Sequence, residues 1–404
     1  MVGKQEVDSM SKLPLEGIRV IDLSNAYSAP IGTMQLADFG AEVIKVESVT
    51  KGDSSRTWTP FCNGTSIQYL NMNRNKKSIT LNTKTEEGMK LLYELVKTAD
   101  VVVENFRPGV AKKKGFDYDA LCKVKPDIIV ASLSGFGQTG PKSNQAAYSN
   151  IAEANVGLMN VTGYPDGKPT ASGVAFGDSI TGMFLTQGIL YALIHKMRTG
   201  EGQYVDVAMT DSLFHLIMSG VIEKSLLGTE PKRIGCRDAS AYPYDIFEAK
   251  DGYCILSIST VDDWRPFAKA IEREDLITDE RFLTNELRVN NADELHEYIE
   301  AWSKQHTRNE IEKIFEEYQL AYAPVLTVGE AMEDPQLNHR NMIVDMYYEG
   351  VGSYKMQGIP VKMSKTPGQI RMGCPHQGEH NQEIYAQLNL SRAELEKLHQ
   401  ENII

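Results

Sequence analysis

The sequence has no excess of positive charge. It contains 42 Lys and Arg against 54 Asp and Glu, which gives a formal net charge of -12. Proteins that bind nucleic acid or an anionic membrane through phosphate groups carry a basic excess on the surface that makes the contact. We therefore expect neither nucleic acid nor a membrane among the partners, and a phosphate would have to bind in a local basic pocket.

Cysteine and long apolar runs are also scarce. No C-x-x-C spacing occurs, and the first residues contain no apolar segment of a secretory type. No apolar run approaches the ~18 residues that a spanning helix needs. Scattered thiols, odd in number, are typical of a reducing compartment, so the sequence predicts a cytoplasmic protein. We expect residues 1–9 to form a disordered leader before an alternative start at Met10. The five cysteines are Cys62, Cys122, Cys236, Cys254 and Cys374.

Three common catalytic signatures are absent or incomplete. No G-x-S-x-G occurs, so a serine hydrolase would lack its nucleophile. The G-x-G-x-x-G at 135–140 is followed by Pro141 instead of the helix that would face a dinucleotide. The H-x-x-E-H at 376–380 contains Gly378 and follows Pro375, which favours a loop over a zinc-binding helical turn. We expect no NAD site, no metal and no tightly bound cofactor.

Strands rich in β-branched residues alternate with amphipathic helices over the first half of the chain. Apolar strands separated by helices of this length indicate right-handed crossovers in a parallel sheet with both faces covered. The sequence therefore predicts a doubly wound, Rossmann-like α/β domain. The strands are predicted at 17–24, 41–47, 77–82, 100–106, 127–135 and 204–209, with helices that include 30–40, 86–99 and a long one from 210 to 228.

The pattern changes near residue 230. Residues 244–259 read as a β-hairpin, and three amphipathic helices follow. We predict that residues 10–229 form the N-terminal part of a large α/β domain and residues 230–321 a smaller α+β domain. Residues 322–404 would then return to complete the large domain.

One acidic residue, Asp178, stands after a glycine at the start of an otherwise apolar helix, in GVAFGDSITGMFLTQGILYALIHK. The simplest interpretation is an N-cap, since an Asp there accepts a backbone hydrogen bond and favours the positive end of the helix dipole. The alternative is a nucleophilic carboxylate. The local pattern alone favours the cap.

Eight segments, one of which contains Asp178, decide between the two interpretations. From about residue 14, nearly the whole chain resembles the class III CoA-transferases, also called the formyl-CoA/carnitine-CoA transferase family. The segments that carry the resemblance are LEGIRVIDLS, FGAEVIKVES, NRNKKSITLNTKTEEG, ADVVVENFRPG, SLSGFGQTGP, AYSNIAEANVG and FGDSITGM with RTGEGQYVDVAM.

The resemblance implies the reaction and its nucleophile. The family moves CoA between acyl-CoA thioesters and free carboxylic acids, and the aspartate of its G-D motif matches Asp178. That aspartate attacks the thioester and passes through a covalent aspartyl-CoA intermediate. The alternative is a CoA-thioester racemase or epimerase of the same superfamily. It would need an acid-base pair on both sides of the α-carbon, whereas residues 144–147 contain no histidine where such relatives place one.

The resemblance also implies a set of binding residues. The loop that would approach the thioester carries Tyr27, where formyl-CoA transferases commonly have glutamine, so we expect different acid-binding chemistry. Tyr148 matches an active-site tyrosine that would contact substrate. The positions that would bind CoA are Ala26, Tyr27, Ser28, Leu81, Lys84, Asn105, Phe106, Lys113 and Tyr148.

The small domain departs from the family pattern. The glycine-rich loop of formyl-CoA transferases is absent, and residues 235–243 occupy that region. Arg237 could present its guanidinium to the acceptor carboxylate, or it could form an interdomain salt bridge. The resemblance further implies a homodimer of two interlocked chains.

Overall fold

Six short strands form one parallel sheet at the centre of the larger part of the molecule. The computed structural model describes residues 13–404, and the predicted leader at 1–9 lies outside this range. All neighbouring strands in the sheet run parallel, in the order β3-β2-β1-β4-β5-β6. The predicted doubly wound α/β class is therefore confirmed. The strands are β1 (Arg19–Asp22), β2 (Glu42–Glu47), β3 (Lys76–Thr80), β4 (Val101–Glu104), β5 (Ile129–Ser134) and β6 (Tyr204–Ala208).

Alternate side chains along each strand belong to two different hydrophobic cores. On β4, Val102 belongs to one cluster while Val101 and Val103 belong to another. Because successive side chains point to opposite faces of a sheet, the two clusters cover the two faces. The first includes Leu92 and Leu95 of the helix Glu86–Lys97. Helices on both faces explain why these strands are apolar almost throughout.

Two helices pack on the second face of the sheet at unusually close range. Helix α1 (Ser28–Asp38) follows β1 directly, and helix α2 (Phe176–Thr199) is the longest in the described chain. A methyl group at Gly32 would lie 2.7 Å from the Gly182 carbonyl oxygen, and one at Gly182 would lie 2.5 Å from the Ser28 carbonyl oxygen. The two helix backbones therefore meet where neither has a side chain, which brings the first turn of α1 to the first turn of α2.

Contacts divide the described chain into two compact units. The larger unit comprises 13–157, 172–218 and 338–404, and the smaller comprises 158–171 and 219–337. Besides the sheet and the helices given above, the larger unit has two antiparallel strand pairs, Phe61–Cys62 with Thr65–Ser66 and Ile343–Tyr348 with Gly352–Gln357. Its other helices are the 3-10 turn Ser54–Thr57 and Ile67–Leu70, Val110–Lys114, Tyr118–Val124, Ser149–Asn155, Met209–Phe214, Asn381–Ala386 and Arg392–Gln400.

The smaller unit contains a three-stranded antiparallel sheet with its own core. Its strands are Tyr244–Ala249, Gly252–Ser257 and Ala321–Pro324, and the middle one pairs with both others. Phe247, Phe267 and Phe315 lie fully buried in the core. The remaining helices of the chain, counting those at the unit boundaries, are Leu158–Val161, Met218–Leu227, Trp264–Ala270, the 3-10 turn Glu274–Ile277, Asn285–Asn290, Ala292–Ser303, Arg308–Glu317, Val328–Glu333 and Pro335–His339.

The unit boundaries differ from the predicted ones for structural reasons. Residues 322–324, expected to start the return to the large domain, form the third strand of the small sheet because Pro324 pairs with Cys254. Residues 158–171 join the small unit, where the Gly235 amide donates to the Gly163 carbonyl at 3.0 Å. The long helix predicted from 210 to 228 is wrong, since a turn over 215–217 separates two helices.

Between residues 13 and 404, no helix combines the length and the apolar character that crossing a membrane requires.

The contact of α1 with α2 can be tested by adding one methyl group. Gly182→Ala places a carbon 2.5 Å from a backbone carbonyl that has no freedom to rotate away. We expect this overpacking to lower the free energy of unfolding in urea by about 1–3 kcal/mol. Gly329→Ala is the matched control, because Gly329 is also helical and its new methyl group would meet nothing closer than 4.0 Å. Equal effects of the two variants would contradict the close contact.

Candidate active site

The loops that follow β1 and β4 meet at the point where the strand order reverses. The Asn25 amide donates to Oδ1 of Asn105 at 2.8 Å, and Nδ2 of Asn105 donates to the Asn25 carbonyl at 2.7 Å. In doubly wound sheets, the crevice beyond the carboxyl ends of the strands at this switch point is where ligands bind. The two asparagines therefore tie together the floor of the expected binding site.

The loop after β1 makes a sharp turn at Ala26. The φ of Ala26 is 72°, a left-handed conformation that is costly for a residue with a Cβ. Its amide donates to Oδ1 of Asp53 at 3.3 Å, and Asp53 also accepts from the Ser55 amide and hydroxyl at 2.8 and 2.6 Å. The Asp53 carboxylate thus holds the turn that directs Tyr27 and Ser28 into helix α1.

Two buried ion pairs lie beneath this turn. Lys45 pairs with Asp53 at 2.6 Å and Lys76 with Asp22 at 3.2 Å, with all four side chains at most 1% exposed. Burial alone would raise the pKa of Asp22 and of Asp53, but the neighbouring lysines hold both below the ordinary value. Burial lowers the pKa of Lys76 to about 8, although Asp22 opposes this shift. Removing one partner would leave a buried charge unpaired, at a cost of several kcal/mol.

Asp178 lies in the first turn of α2, beside the first turn of α1. The hydroxyl of Ser28, which is 4% exposed, donates to Oδ1 of Asp178. Helix α2 begins at Phe176 after Ala175, and the Gly177 amide donates to Oγ of Ser149 at 2.9 Å. The capping interpretation is therefore wrong: Asp178 follows the N-cap position by three residues, and its carboxylate binds a side chain of another helix.

The surroundings of Asp178 make its carboxylate more basic than that of an ordinary aspartate. Burial raises the pKa of Asp178, the hydrogen bond from Ser28 opposes this effect, and the negative charge of Glu153 raises the pKa further. Glu153 is 2% exposed and accepts from the Ser149 hydroxyl at 2.9 Å and from the Ser172 amide at 3.2 Å. A partly desolvated carboxylate with a raised pKa is a stronger base and nucleophile than one in water, and it lies where helix amides favour negative charge.

A cavity of about 300 Å³ lies at the carboxyl ends of β1 to β4. Of the sequence-predicted residues, Leu81, Lys84 and Phe106 line it. Lys114 lines it as well, whereas Lys113 is exposed on the same short helix. The sequence did not single out Lys114, because a run of three lysines at 112–114 does not indicate which one faces inward. Burial, together with the positive charge of Lys84, lowers the pKa of Lys114.

Two predicted substrate residues lie in different surroundings. Tyr148 directly precedes the helix Ser149–Asn155 and is 76% exposed. Arg237 belongs to the small unit, where it pairs with Asp245 at 2.9 Å and with Asp293 at 2.6 Å. Both partners lie in the same unit as Arg237, so the interdomain salt bridge considered from the sequence is wrong.

The H-x-x-E-H segment and the G-x-G-x-x-G loop both make contacts with neighbouring elements. In the H-x-x-E-H segment, Nδ1 of His376 lies 3.0 Å from the Tyr348 hydroxyl. Nδ1 of His380 accepts from the Ser78 amide at 3.3 Å. In the glycine-rich loop after β5, the Gln138 amide donates to Asp206 at 3.1 Å. Each of these groups thus anchors a loop to a neighbouring element.

Comparisons with known proteins find the same family along nearly the whole chain. The family model described as CoA-transferase family III matches residues 15–381. An acyl-CoA transferase of Fusarium pseudograminearum is 37% identical, over 98% of this chain and 89% of its own. The succinyl-CoA:glutarate CoA-transferase of Mus musculus is 36% identical, over 98% and 91%. The succinyl-CoA–D-citramalate CoA-transferase of Chloroflexus aurantiacus is 34% identical, over 97% and 98%.

A solved structure has the same fold. A CAIB/BAIF family protein from Brucella suis is 34% identical and superposes with a TM-score of 0.84, over 94% of this chain and 100% of its own.

The raised pKa of Asp178 has a consequence for stability. The folded state binds the Asp178 proton more tightly than the unfolded state, so this residue costs stability as the pH rises through the raised pKa. We expect Asp178→Asn, which can still accept from Ser28, to unfold at a higher temperature than the wild type near neutral pH. The difference should vanish below the ordinary Asp pKa, where both side chains are neutral.

Thermal unfolding followed by circular dichroism across the acidic range measures this effect. Asp119→Asn is the matched control, because Asp119 also lies in a first helical turn but is exposed. A pH profile of Asp178→Asn that runs parallel to the wild type would show that the carboxylate is not desolvated.

Proposed function

As the chain belongs to CoA-transferase family III, we propose that it transfers CoA through covalent intermediates on Asp178, from succinyl-CoA to a short dicarboxylic acid. The overall reaction is that of the family: CoA moves from an acyl-CoA thioester to a free carboxylic acid. Two of the relatives described above are named for succinyl-CoA and a dicarboxylic acceptor, which supports this choice of substrates.

The observation that carries the proposal is the position of the Asp178 carboxylate. It lies at the amino end of α2 and accepts from the hydroxyl of Ser28. A carboxylate attacks a thioester without a general base, because it is already ionised. Its raised pKa makes it a better nucleophile, and the amides of the helix terminus favour negative charge nearby.

The first half of the reaction loads CoA onto the enzyme. An Asp178 oxygen attacks the thioester carbonyl carbon, the carbon–sulfur bond breaks, and CoA leaves as a thiolate. The product is a mixed anhydride between Asp178 and the acyl group. The thiolate then attacks the Asp178 carbonyl carbon and displaces the acyl group as a free carboxylate, which leaves CoA on Asp178 as a thioester.

The second half reverses these steps with the acceptor acid. The acceptor carboxylate attacks the Asp178 thioester, releases CoA thiolate and forms a second mixed anhydride. The thiolate attacks the acceptor carbonyl carbon of this anhydride, which produces the new acyl-CoA and regenerates the Asp178 carboxylate. Water has to be kept from both anhydrides, since hydrolysis would waste the thioester.

We place CoA in the cavity at the carboxyl ends of β1 to β4. Burial, and then the positive charge of Lys84, lower the pKa of Lys114 there, as expected for two cations that lie close together. A phosphate group between them would relieve this repulsion and form charge-assisted hydrogen bonds. Phe106 and Phe116 line the same cavity and offer apolar surface to the parts of CoA that carry no phosphate.

The role of Asp178 predicts a covalent species. After incubation with succinyl-CoA, intact-protein mass spectrometry should show the wild type heavier by one CoA less one water. Asp178→Ala and Asp178→Asn should lack this species and lose transfer to glutarate by more than about 10⁴-fold, because no other group supplies the nucleophile. Asp119→Asn, at an exposed first-turn position, is the control. Transfer at near wild-type rate in either Asp178 variant would refute the mechanism.

The phosphate-binding role predicts a selective loss of affinity. We expect Lys114→Ala to raise the KM for succinyl-CoA about tenfold or more with little change in kcat, because a charge-assisted hydrogen bond contributes about 1.5–3 kcal/mol. Lys123→Ala removes a lysine from a neighbouring helix whose side chain does not line the cavity, and should leave KM unchanged. A larger effect from Lys113→Ala than from Lys114→Ala would instead support the sequence-based assignment.

A further inference from the structure

Within residues 13–404, the hydroxyl of Tyr27 has one hydrogen-bond partner, the side-chain amide of Asn71. Tyr27 directly precedes Ser28, so its backbone lies in the turn that leads to the hydroxyl bound to Asp178. Nδ2 of Asn71 lies 3.2 Å from the Tyr27 oxygen. The direction of this hydrogen bond decides whether the phenol hydrogen is already used or remains available.

A third residue determines the direction. The side chain of Gln357 lies 3.2 Å from the backbone carbonyl of Asn71 and 2.6 Å from its side-chain amide. A backbone carbonyl can only accept, so the Gln357 atom that faces it is Nε2. This nitrogen can only donate, and the Asn71 atom at 2.6 Å is therefore Oδ1. The remaining amide atom of Asn71, which faces Tyr27, is the donor Nδ2.

The consequence is that the Tyr27 oxygen accepts and its own hydrogen stays free. Throughout residues 13–404, no acceptor lies within hydrogen-bonding geometry of this hydroxyl. Burial, and then the negative charge of Asp178, raise the pKa of Tyr27, so the phenol keeps its hydrogen at neutral pH. A partly buried hydroxyl with an unused hydrogen, on the residue next to Ser28, is free to donate to a ligand.

The hydrogen bonds that run from Gln357 through Asn71 to Tyr27 form a relay, and this relay is anchored to the buried part of the fold. Nη1 of Arg74 donates to the Gln357 carbonyl at 2.5 Å, and the same guanidinium pairs with Asp38 at 2.7 Å. Arg74 and Asp38 are both about 2% exposed, and Asp38 ends helix α1. Gln357 is thus held by Arg74, whose ion-pair partner Asp38 lies on the same helix as Ser28.

We propose that Gln357 and Asn71 preset the Tyr27 hydroxyl as a hydrogen-bond donor to the acyl oxygen that becomes negative when Asp178 attacks. This rests on the proposed role of Asp178. When an Asp178 oxygen bonds to the thioester carbon, the carbonyl π electrons move onto the acyl oxygen. The Tyr27 hydrogen bond strengthens as that charge grows, and it weakens again when the carbonyl re-forms and CoA thiolate leaves. No proton is transferred.

The direction of the relay can be reversed with a change of one atom. In Asn71→Asp, the carboxylate facing Tyr27 can only accept, so the phenol hydrogen points at residue 71 and is withdrawn from the substrate. Gln357 still donates to the other carboxylate oxygen, which preserves the geometry. Tyr27→Phe removes the same hydrogen by a different route. The two variants should therefore have the same defect.

Steady-state kinetics with succinyl-CoA and glutarate test this equivalence. We expect each variant to lower kcat about 100-fold, the typical loss for one oxyanion donor, with the KM for succinyl-CoA changed less than about threefold. The double variant should be no slower than either single one, because both remove the same hydrogen bond. Tyr347→Phe, at a 66% exposed tyrosine, is the control for loss of a phenol group.

Several outcomes would overturn the proposal. A kcat for Tyr27→Phe within about threefold of the wild type would show that the hydroxyl does not act. Multiplicative losses in the double variant would show that Asn71 and Tyr27 act separately. If Asn71→Asp does not fold, Gln357→Leu, at an exposed position, tests the same relay and should lower kcat without raising KM. An unchanged kcat there would refute it.

Mass spectrometry separates this proposal from the one on which it rests. If the wild type forms no Asp178-bound CoA, the covalent mechanism fails, and the role of Tyr27 in it fails too. If the wild type forms this species and Tyr27→Phe forms it equally fast, only the relay is wrong. A species that forms in both, about 100-fold more slowly in Tyr27→Phe, supports both proposals.

Discussion

The contact between Gly32 and Gly182 sets the geometry on which the site depends. Because neither residue has a side chain, helices α1 and α2 approach until the Gly182 carbonyl and the Ser28 carbonyl lie in contact with the facing helix. The Thr186 hydroxyl adds a hydrogen bond to the Gly32 carbonyl at 3.0 Å. At this separation the short side chain of Ser28 reaches Asp178, and a wider spacing would leave the carboxylate to water.

A second constraint holds the opposite end of the same turn. Ala26 keeps a left-handed backbone because Asp53 binds its amide, and Asp53 is charged because Lys45 lies 2.6 Å away. These groups are buried, and burial of ions is costly unless each one is paired. We therefore interpret the ion pairs as interactions that hold the strained turn at Ala26. Their position beneath the switch point lets them act on both Tyr27 and Ser28.

The site brings negative charges together, which weakens the fold locally. Asp178 has its pKa raised by burial and by Glu153, whose carboxylate is itself 2% exposed. The Glu153 carboxylate accepts hydrogen bonds from Ser149 and Ser172, and the Ser149 hydroxyl oxygen in turn accepts from the Gly177 amide at the start of α2. Glu153 thus raises the pKa of the nucleophile and, through Ser149, also holds the start of the helix that carries it. Active sites commonly trade stability for reactivity in this way.

The sequence by itself determined the doubly wound sheet. Apolar β-branched strands that alternate with helices form a local pattern, and right-handed crossovers then place those strands in one parallel sheet. It also indicated Asp178, Leu81, Lys84 and Phe106, which lie in long motifs, and Tyr27, which lies shortly after one of them. Only the tertiary structure decided that Asp178 accepts from Ser28 instead of capping α2, and that Lys114 faces the cavity. The strand Ala321–Pro324 likewise joined the small sheet through a partner far away in the chain. Asn71 and Gln357 lie 286 residues apart, and no local pattern links them. Hydrogen-bond direction and burial arise from contacts between distant segments, and only the folded chain brings such segments together.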